Sequence, residues 1–290
     1  MLTLNHIFAA ERLAPASIAA ALHRVPEPRL ARALPWLAQE RRDVFTAYQS
    51  TQKGDPAATL RRRQNLASFV QMPDLTMLFA GLWTVAGCRD RPRREIGADP
   101  NVRVLIEEFG TCLEFAGEPE GNWTWFDLVP STAMSDYTGR LRIANPTARN
   151  MMRLAENFDV EIAAIEAQNA LSAAPPDWAE MIVTGLELRA LPASWAARLR
   201  EWRGVYLIVD QTDGARYVGS AYGADNLLGR WRAHVQGDQG ITAKLRARNP
   251  AHFHFAILER MAPDDPAEDV IAREMTWIAR LDTRRHGLNA

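Results

Sequence analysis

The chain has 290 residues, of which 47% are hydrophobic and 24% charged, and its formal net charge is −1. This length allows two domains with a sizeable core, and the near-neutral charge alone does not indicate a nucleic-acid partner. No run of 18 apolar residues and no basic, apolar leader is found, which argues against a membrane partner and predicts a cytoplasmic protein. Cys88 and Cys112 are too few for a metal site, and no disulfide is expected.

The N-terminal region is predicted to be helical at first and then β-rich. Apolar residues recur at helical spacing from Ile18 to Val25 and from Leu34 to Phe45, so residues 1 to about 70 are predicted to be helical. Between residues 71 and 150, short apolar runs such as Val102 to Phe109 are separated by Gly, Pro and Asn. This spacing predicts a small sheet or barrel.

A further helix is predicted over residues 147 to 172, and the Ala- and Pro-rich stretch that follows marks a domain boundary. The predicted organisation has three parts. They are an N-terminal helical and β-rich region at residues 1–175, a linking segment at 176–202, and a C-terminal domain at 203–290. The predicted fold class of the whole chain is α+β.

The C-terminal domain has clear local signals. Two strands are predicted at Val205 to Val209 and Ala215 to Ser220, joined by a turn in which Asp213-Gly214 favours positive φ. A helix capped by Asp225 or Asn226 follows. A third strand is predicted from His252 to Leu258, and a last helix begins at Asp265-Pro266.

Glu274 is the most informative single residue of the last helix. It lies within one helical turn of Val270, Ile271, Trp277 and Ile278, all of which are apolar. A carboxylate on an apolar face is costly unless it is paired or binds a cation. The sequence therefore predicts either a salt bridge to an arginine or a metal site.

Arg230 and His234 are four residues apart and share one face of the preceding helix. An arginine can hold a phosphate in a bidentate manner, and a histidine can shuttle a proton, although a solvated basic face would have the same spacing. The strand residues Tyr206 and Tyr217 would by themselves be ordinary cross-strand packing. Asn289 would by itself be part of a frayed terminus.

Basic residues are concentrated in stretches that could reach a nucleic-acid backbone, although solvated surface charge is the simpler interpretation. We expect nucleic-acid contacts beside the site and in two N-terminal clusters. The residues concerned are Arg230, Arg232 and Lys244 beside the site, Arg61, Arg62 and Arg63 in the first cluster, and Arg93 and Arg94 in the second.

Taken together, the C-terminal residues resemble the GIY-YIG endonuclease family, and in particular the catalytic domains of phage homing endonucleases. The resemblance covers about residues 204 to 290. It rests on six stretches, which are Gly204-Val205-Tyr206, Tyr217 to Ala221, Arg230 to His234, the strand that ends at Glu259, Arg273 to Ile278, and Gly287-Leu288-Asn289.

The resemblance implies a small three-stranded antiparallel sheet flanked by helices, and in-line hydrolysis of a phosphodiester. It implies that Tyr206 activates the attacking water and that Tyr217 positions water or phosphate. Arg230 would hold the scissile phosphate, and His234 would assist proton transfer or polarise Tyr206. A phenol is a poor base at neutral pH, so a nearby cation must favour the phenolate.

The resemblance also implies one divalent metal, Mg²⁺ or Mn²⁺, held by Glu274, and a hydrogen bond from Asn289 within the site. Related sequences often carry a histidine in the loop after the Arg-His helix. Residues Gly237 to Gly240 contain none, which puts a second proton shuttle in doubt.

The leading hypothesis is a DNA endonuclease of the restriction, defence or mobile-element type, whose N-terminal region selects a target in duplex DNA. By analogy, the β-rich module has the size of a pseudobarrel that reads DNA. The alternatives are a repair or branched-structure nuclease, and a DNA-binding protein with an inactive nuclease domain. One site cuts one strand, so a double-strand break would require a homodimer or two successive events.

Overall fold

The computed structural model describes residues 1–144, 146, 151–172, 174–237 and 242–290. The chain divides into two compact units, Met1–Ala173 and Ala174–Ala290. Within the described residues, no helix is long and apolar enough to cross a membrane. Cys88 and Cys112 are both free thiols, as expected.

The described part of the N-terminal unit combines six helices with eight strands. Its helices are α1 (Leu4–Ala10), α2 (Pro28–Glu40), α3 (Arg42–Ser50), α4 (Gly54–Leu60), α5 (Arg93–Gly97) and α6 (Pro100–Phe109). Its strands are β1 (Ile18–His23), β2 (Thr51–Gln52), β3 (Asn65–Gln71), β4 (Met77–Pro92), β5 (Asn122–Pro130), β6 (Leu141–Ile143), β7 (Met152–Leu154) and β8 (Ile162–Ile165).

All eight strands belong to one curled sheet. Its main order is β2-β5-β4-β3-β1-β7, while β6 pairs with both β4 and β8. Strands β1 and β3 run parallel, and the other pairs are antiparallel. Thr51 and Trp123, near one end of this order, line the same cavity as Ala21 and Met152 near the other end. The sheet must therefore curl to bring its ends together.

Two N-terminal predictions of element type were wrong. Ile18 to His23 form strand β1 rather than a helix, because all six positions are buried and short apolar runs do not distinguish a buried strand from a helix. Val102 to Phe109 lie in helix α6 rather than in a strand. The Asp99 carboxylate accepts from the Asn101 amide at 3.0 Å, and Gly110 ends the helix in the left-handed region.

The predicted helix at residues 147–172 was also wrong over the residues that the structure describes. Residues 151–172 contain strands β7 and β8, and residues 147–150 lie outside the described residues. In β8 partly buried and exposed positions alternate, which is the pattern of a strand with one covered face. The N-terminal region is therefore richer in strands than the periodicity indicated.

The C-terminal unit has five helices and four strands in its described residues. Its strands are β9 (Ile182–Thr184), β10 (Arg203–Asp210), β11 (Arg216–Ala221) and β12 (Phe253–Met261). Its helices are α7 (Ala193–Glu201), α8 (Asn226–Gln236), α9 (Ala243–Arg246), α10 (Ala267–Arg280) and α11 (Thr283–His286).

The C-terminal sheet is antiparallel with the order β11-β10-β12-β9. It contains the three predicted strands and a fourth, β9, which comes from the segment at 176–202 that was expected to be a link. The turn between β10 and β11 has Gly214 at φ +75°, as Asp-Gly predicts. The α+β class and the sheet flanked by helices are confirmed.

Side chains on the two faces of the C-terminal sheet pack into separate clusters. Tyr206 and Tyr217 on one face are buried with Trp231 of α8. Val205 and Val218 on the other face are buried with Ile278 of α10. Because β11 is the last strand on its side, residues from α8 and α10 can meet around its edge.

Candidate active site

Two glycines of the paired tripeptides are required by close contacts. Gly204 has φ +152°, and a Cβ placed there would lie 2.0 Å from the carbonyl oxygen of Glu259. A Cβ at Gly219 would lie 2.4 Å from the phenol oxygen of Tyr206. Real Cβ contacts do not approach so closely, so only glycine lets β10 pair with β12 and lets Tyr206 lie across β11.

Tyr206 and His234 form a buried hydrogen-bonded pair. Their side chains are 0% and 2% exposed, and the phenol oxygen is 2.5 Å from Nε2 of the imidazole. Burial, together with a smaller effect of the Arg230 charge, lowers the pKa of His234 to about 3, so the ring is neutral near pH 7. The neutral Nε2 can accept the phenol proton while the Arg230 guanidinium donates to the phenol oxygen.

The pKa of Tyr206 is raised well above its ordinary value, first by burial and then by Tyr217. Arg230 opposes this rise but does not cancel it. The pKa of Tyr217 is also raised, by burial and then by Glu274. Both residues are therefore neutral phenols at physiological pH in the absence of an added cation.

Arg230 and Glu274 reach the same place from opposite faces of the sheet. The Ser220 hydroxyl, on the edge strand β11, donates to the Glu274 carboxylate. Arg230 lies close enough to Glu274 for the two to affect each other's pKa. All three residues line an open cleft of about 520 Å³ beside residues 221–226. This cleft can admit a phosphodiester next to a guanidinium and a carboxylate.

Burial raises the pKa of Glu274, and the Ser220 hydrogen bond and Arg230 only partly offset the effect. The predicted apolar surroundings are present only in part, since Val270 is 0% and Ile278 6% exposed whereas Ile271 is 41% exposed. Glu274 therefore lies at the border of the buried stripe and faces the cleft. A cation near the carboxylate would remove the electrostatic cost of burying its charge.

Asn289 is held away from solvent, with 5% of its surface exposed. Its side-chain oxygen accepts from the Val218 amide at 2.9 Å, and its side-chain nitrogen donates to the Val218 carbonyl at 2.8 Å. Val218 lies between Tyr217 and Gly219 on β11. Asn289 therefore fixes the backbone that carries these two residues, and its side-chain bonds go to the main chain of Val218.

The donor set suits a hard cation held by one carboxylate and water. The described residues contain no group of three or more His, Cys, Asp or Glu side chains that could hold a metal ion. Mg²⁺ typically keeps several waters and uses one or two protein carboxylates, so the single carboxylate of Glu274 on an open cleft fits it. A zinc site, with its four closed ligands, is not formed by these residues.

The residues expected to contact nucleic acid have different surroundings. Arg232 and Lys244 of the C-terminal unit are exposed. In the N-terminal unit Arg62 and Arg94 are exposed, whereas three arginines are engaged by the protein itself. Arg61 bonds to Thr124 at 2.7 Å and to Asp90 at 3.1 Å, Arg63 bonds to Glu156 at 2.6 Å, and Arg93 bonds to the carbonyls of Glu114 and Glu120.

Ser220 is the site residue to which sequence reasoning assigned no role. It stands two residues after Val218 and shares the sheet face against which α10 packs, whereas Tyr217 and Gly219 share the other face. Strand alternation alone would have placed Ser220 toward the last helix. The loop at 238–240, where a further histidine was found missing, lies outside the described residues.

A family model described as the GIY-YIG catalytic domain matches residues 203–288. These residues therefore form a GIY-YIG nuclease domain, as the resemblance implied. Two solved structures, both of the same endonuclease domain, are similar to part of the chain. One is a point mutant of the catalytic domain of intron endonuclease I-TevI, at 25% identity and a TM-score of 0.26, covering 30% of this chain and 92% of that one.

The other is the catalytic domain of homing endonuclease I-TevI, at 26% identity and a TM-score of 0.26, covering 30% of this chain and 96% of that one. No curated protein is detectably similar to the chain.

Proposed function

We propose that the protein is a metal-dependent endonuclease that hydrolyses phosphodiester bonds of duplex DNA at a target selected by its N-terminal unit. The observation that carries this proposal is the meeting of Arg230 and Glu274 around the edge strand β11, with the Tyr206–His234 pair beside them. A cation-binding carboxylate, a phosphate-binding guanidinium and a proton acceptor are the groups that such a hydrolysis requires.

Arg230 would bind the scissile phosphate and stabilise the negative charge that builds up during attack. The guanidinium already faces both phenols, so phosphate binding would place the reacting group next to Tyr206. Burial is the larger cause of the low pKa of His234 and the Arg230 charge the smaller one, and phosphate would offset the second. His234 could then accept the Tyr206 proton while Tyr206 accepts a proton from water.

Glu274 would hold a hydrated divalent cation, Mg²⁺ or Mn²⁺, and the Ser220 hydroxyl would orient the carboxylate. When bound, such a cation supplies electrostatic stabilisation of the leaving oxygen. Tyr217 would position water or phosphate, because its phenol also faces Arg230. Asn289 would keep β11 in place beneath Tyr217 and Tyr206.

The N-terminal unit is the natural source of target selection. A nuclease domain of this size offers little surface for reading sequence, and the N-terminal unit is a separate compact body with its own core. Exposed Arg62 and Arg94 can contact phosphates there without breaking an internal ion pair that the structure describes. Arg232 and Lys244 would add phosphate contacts in the catalytic domain.

The experiment that tests the proposal compares the wild-type protein with Glu274→Ala on supercoiled plasmid, with MgCl₂, with MnCl₂ and with EDTA. We expect nicking or linearisation only with a divalent cation. The Glu274→Ala variant should cleave at least about 100-fold more slowly, which is the usual effect of removing one group that stabilises transition-state charge. Glu268→Ala is the matched control, since Glu268 is an exposed glutamate of the same helix.

Equal nicking by wild type and Glu274→Ala would contradict the catalytic role of Glu274. Cleavage in EDTA would contradict the metal requirement. Wild-type protein that binds duplex DNA and cuts no duplex or branched substrate would indicate a binding protein with an inactive nuclease domain. Preferential cutting of branched substrates would indicate the repair-type alternative.

A further inference from the structure

A cavity of about 250 Å³ lies inside the N-terminal unit, where the ends of the curled sheet approach each other. Its lining combines aromatic and polar side chains, including His23 of β1, Tyr48 of α3 and Trp123 of β5. The His23 and Tyr48 rings are 5.3 Å apart, and the ammonium group of Lys53 lies 4.7 Å from the Trp123 ring. The volume exceeds that of one planar heterocycle and is small for an extended ligand.

One polar atom of this cavity lacks a partner. His23 is only 6% exposed. Its Nε2 atom is buried and makes no hydrogen bond within the described part of the chain. Burial lowers the pKa of His23 to about 4, while a hydrogen bond with Gln49 acts in the opposite direction. The ring is therefore neutral. Its unused nitrogen is enclosed by protein atoms, so it can form a hydrogen bond with a ligand only when the ring turns toward the cavity.

A buried polar atom without a partner costs free energy, so a ligand that supplies the missing hydrogen bond gains more than a bond at the surface would give. The ligand must be flat enough to pack against Tyr48 and beside Trp123, whose ring already contacts Lys53 and Phe115, and it must carry hydrogen-bonding groups on its edge. The uncharged Cys112 thiol, whose pKa burial raises to about 12, adds no anion to the wall. Glu114, which is exposed, can accept from an amino group.

We propose that this cavity binds a single unstacked nucleobase of the DNA target, with an aromatic ring against its face and His23 Nε2 bonded to its edge. A base that has left the duplex stack is recognised in this way by aromatic packing and hydrogen bonds to its edge. Lys53, whose ammonium group lies over the Trp123 ring, can contact the adjoining phosphate. The inference rests on the proposed DNA substrate and names the feature of the target that the N-terminal unit would read.

The test uses the full chain in a buffer without divalent cations, so that DNA is bound but not cut. It compares the affinity for a fluorescent duplex with one unpaired base with the affinity for the fully paired duplex. We expect the unpaired base to be bound about tenfold more tightly, since stacking one base on an aromatic side chain commonly contributes at least that much. A single-stranded oligonucleotide and a nucleoside monophosphate show whether the duplex context is needed. Tight binding of the single strand or of the nucleoside monophosphate would still support a base pocket. Equal affinity for these two ligands and for both duplexes would overturn the proposal.

Trp123→Leu is expected to abolish the tenfold preference, and Trp125→Leu is the matched control. Both tryptophans lie on the same face of β5, are partly buried, and each is covered by one cationic side chain. Only Trp123 lines the cavity, whereas Trp125 lines a different one. Equal loss of the preference in both variants, with normal melting temperatures, would overturn the assignment.

A measurement on the wild-type protein does not depend on whether the variants fold. A duplex with 5-iodouracil at the unpaired position should crosslink under light to Tyr48 or Trp123, as located by mass spectrometry. Crosslinks confined to other residues would overturn the proposal. Plasmid cleavage by the same preparation separates the two proposals. Cleavage without a preference for the unpaired base would refute only the base pocket. A preference for the unpaired base without cleavage would refute only the endonuclease activity.

Discussion

His234 of the C-terminal unit and His23 of the N-terminal unit are both buried, and burial lowers the pKa of both. They differ in how their Nε2 atoms are used. Nε2 of His234 bonds to the Tyr206 phenol at 2.5 Å, whereas Nε2 of His23, a residue that lines a cavity, is buried without a described partner. The comparison separates a histidine whose Nε2 atom is already paired within its site from one whose Nε2 atom has no described partner, and Nδ1 of His234 is itself without a described partner.

This difference has a functional meaning for each unit. The groups that we propose to be catalytic are preorganised, because Tyr206, His234 and Arg230 orient one another before a substrate arrives. Preorganisation favours chemistry at any phosphodiester that enters the cleft. An unsatisfied atom beside a small cavity instead favours one ligand over others. A ligand that cannot supply the hydrogen bond leaves the buried atom without a partner and therefore binds more weakly. Catalysis and selection would thus be divided between the units.

Tyr206→Phe is expected to have the largest effect on the catalytic side of this comparison. The change removes the hydroxyl that links Arg230 to His234 and should lower kcat by about 10²- to 10⁴-fold, as expected for the loss of general base catalysis. The measurement is single-turnover plasmid cleavage with saturating Mg²⁺. Tyr222→Phe is the control, because Tyr222 lines the cleft but is 41% exposed.

Binding of DNA by Tyr206→Phe should stay within about threefold of wild type, because Arg230 still faces the phosphate. A variant that cuts at the wild-type rate would show that the Tyr206–His234 pair is structural. The comparison between a paired catalytic histidine and an unpaired binding histidine would then lose its functional basis.

Much of the catalytic unit could be predicted from the sequence because its signals are local. The turn at Asp213-Gly214 and the spacing of Arg230 and His234 depend on near neighbours in the chain, and both were found as expected in the structure. The fourth strand, β9, could not be predicted, since three residues carry little periodicity and pairing with β12 stabilises them. The contact from Ser220 to Glu274 spans 54 residues and depends on tertiary packing.

The N-terminal unit was harder to predict because its sheet is made of distant pairings. Strand β1 pairs with β3 across more than 40 residues and with β7 across more than 120, so nothing near Ile18 in the sequence indicates a strand. Helix α6 was missed although Asp99-Pro100 and Gly110 are ordinary start and stop signals. The cavity itself depends on the curl of the sheet, which no local pattern encodes.

Gly219→Ala is expected to have the next largest effect. The added Cβ would lie 2.4 Å from the Tyr206 phenol oxygen and 2.9 Å from the Tyr217 ring, so one or both phenols must move. Overpacking of this kind commonly costs about 1–3 kcal/mol in the free energy of unfolding. Cleavage should fall as well, because the displaced phenol would no longer align with His234.

The control is Gly223→Ala, since a Cβ at Gly223 meets nothing within 4 Å and its φ is not positive. The two variants are compared by urea unfolding and by plasmid cleavage. If Gly219→Ala matches Gly223→Ala in both measurements, the close approach of Tyr206 to β11 is not a constraint on this fold.

The last predictions concern the two histidines, whose expected effects on the free energy of unfolding are no larger than that of Gly219→Ala. The ordinary pKa of 6.5 applies to each ring in the unfolded chain, against about 3 for His234 and about 4 for His23 in the fold. Below pH 6.5 the unfolded chain therefore binds more protons, and stability falls as the pH is lowered through this window. Each histidine should cost about 2 kcal/mol between pH 7 and pH 5, on the basis of about 1.4 kcal/mol per pH unit.

Replacing either histidine with leucine should remove that histidine's contribution to the pH dependence of stability. The two variants should differ in the free energy of unfolding that they lose at pH 7. His234→Leu leaves the buried Tyr206 hydroxyl without an acceptor and should cost about 1–3 kcal/mol. His23→Leu breaks the hydrogen bond with Gln49, but the side-chain oxygen of Gln49 keeps the bond from Ser68, so this change should cost less than about 1 kcal/mol. Urea unfolding at pH 7 and pH 5 measures both quantities. Equal costs at pH 7 would mean that the Nε2 atoms are equally satisfied, and the contrast between the two sites would not stand.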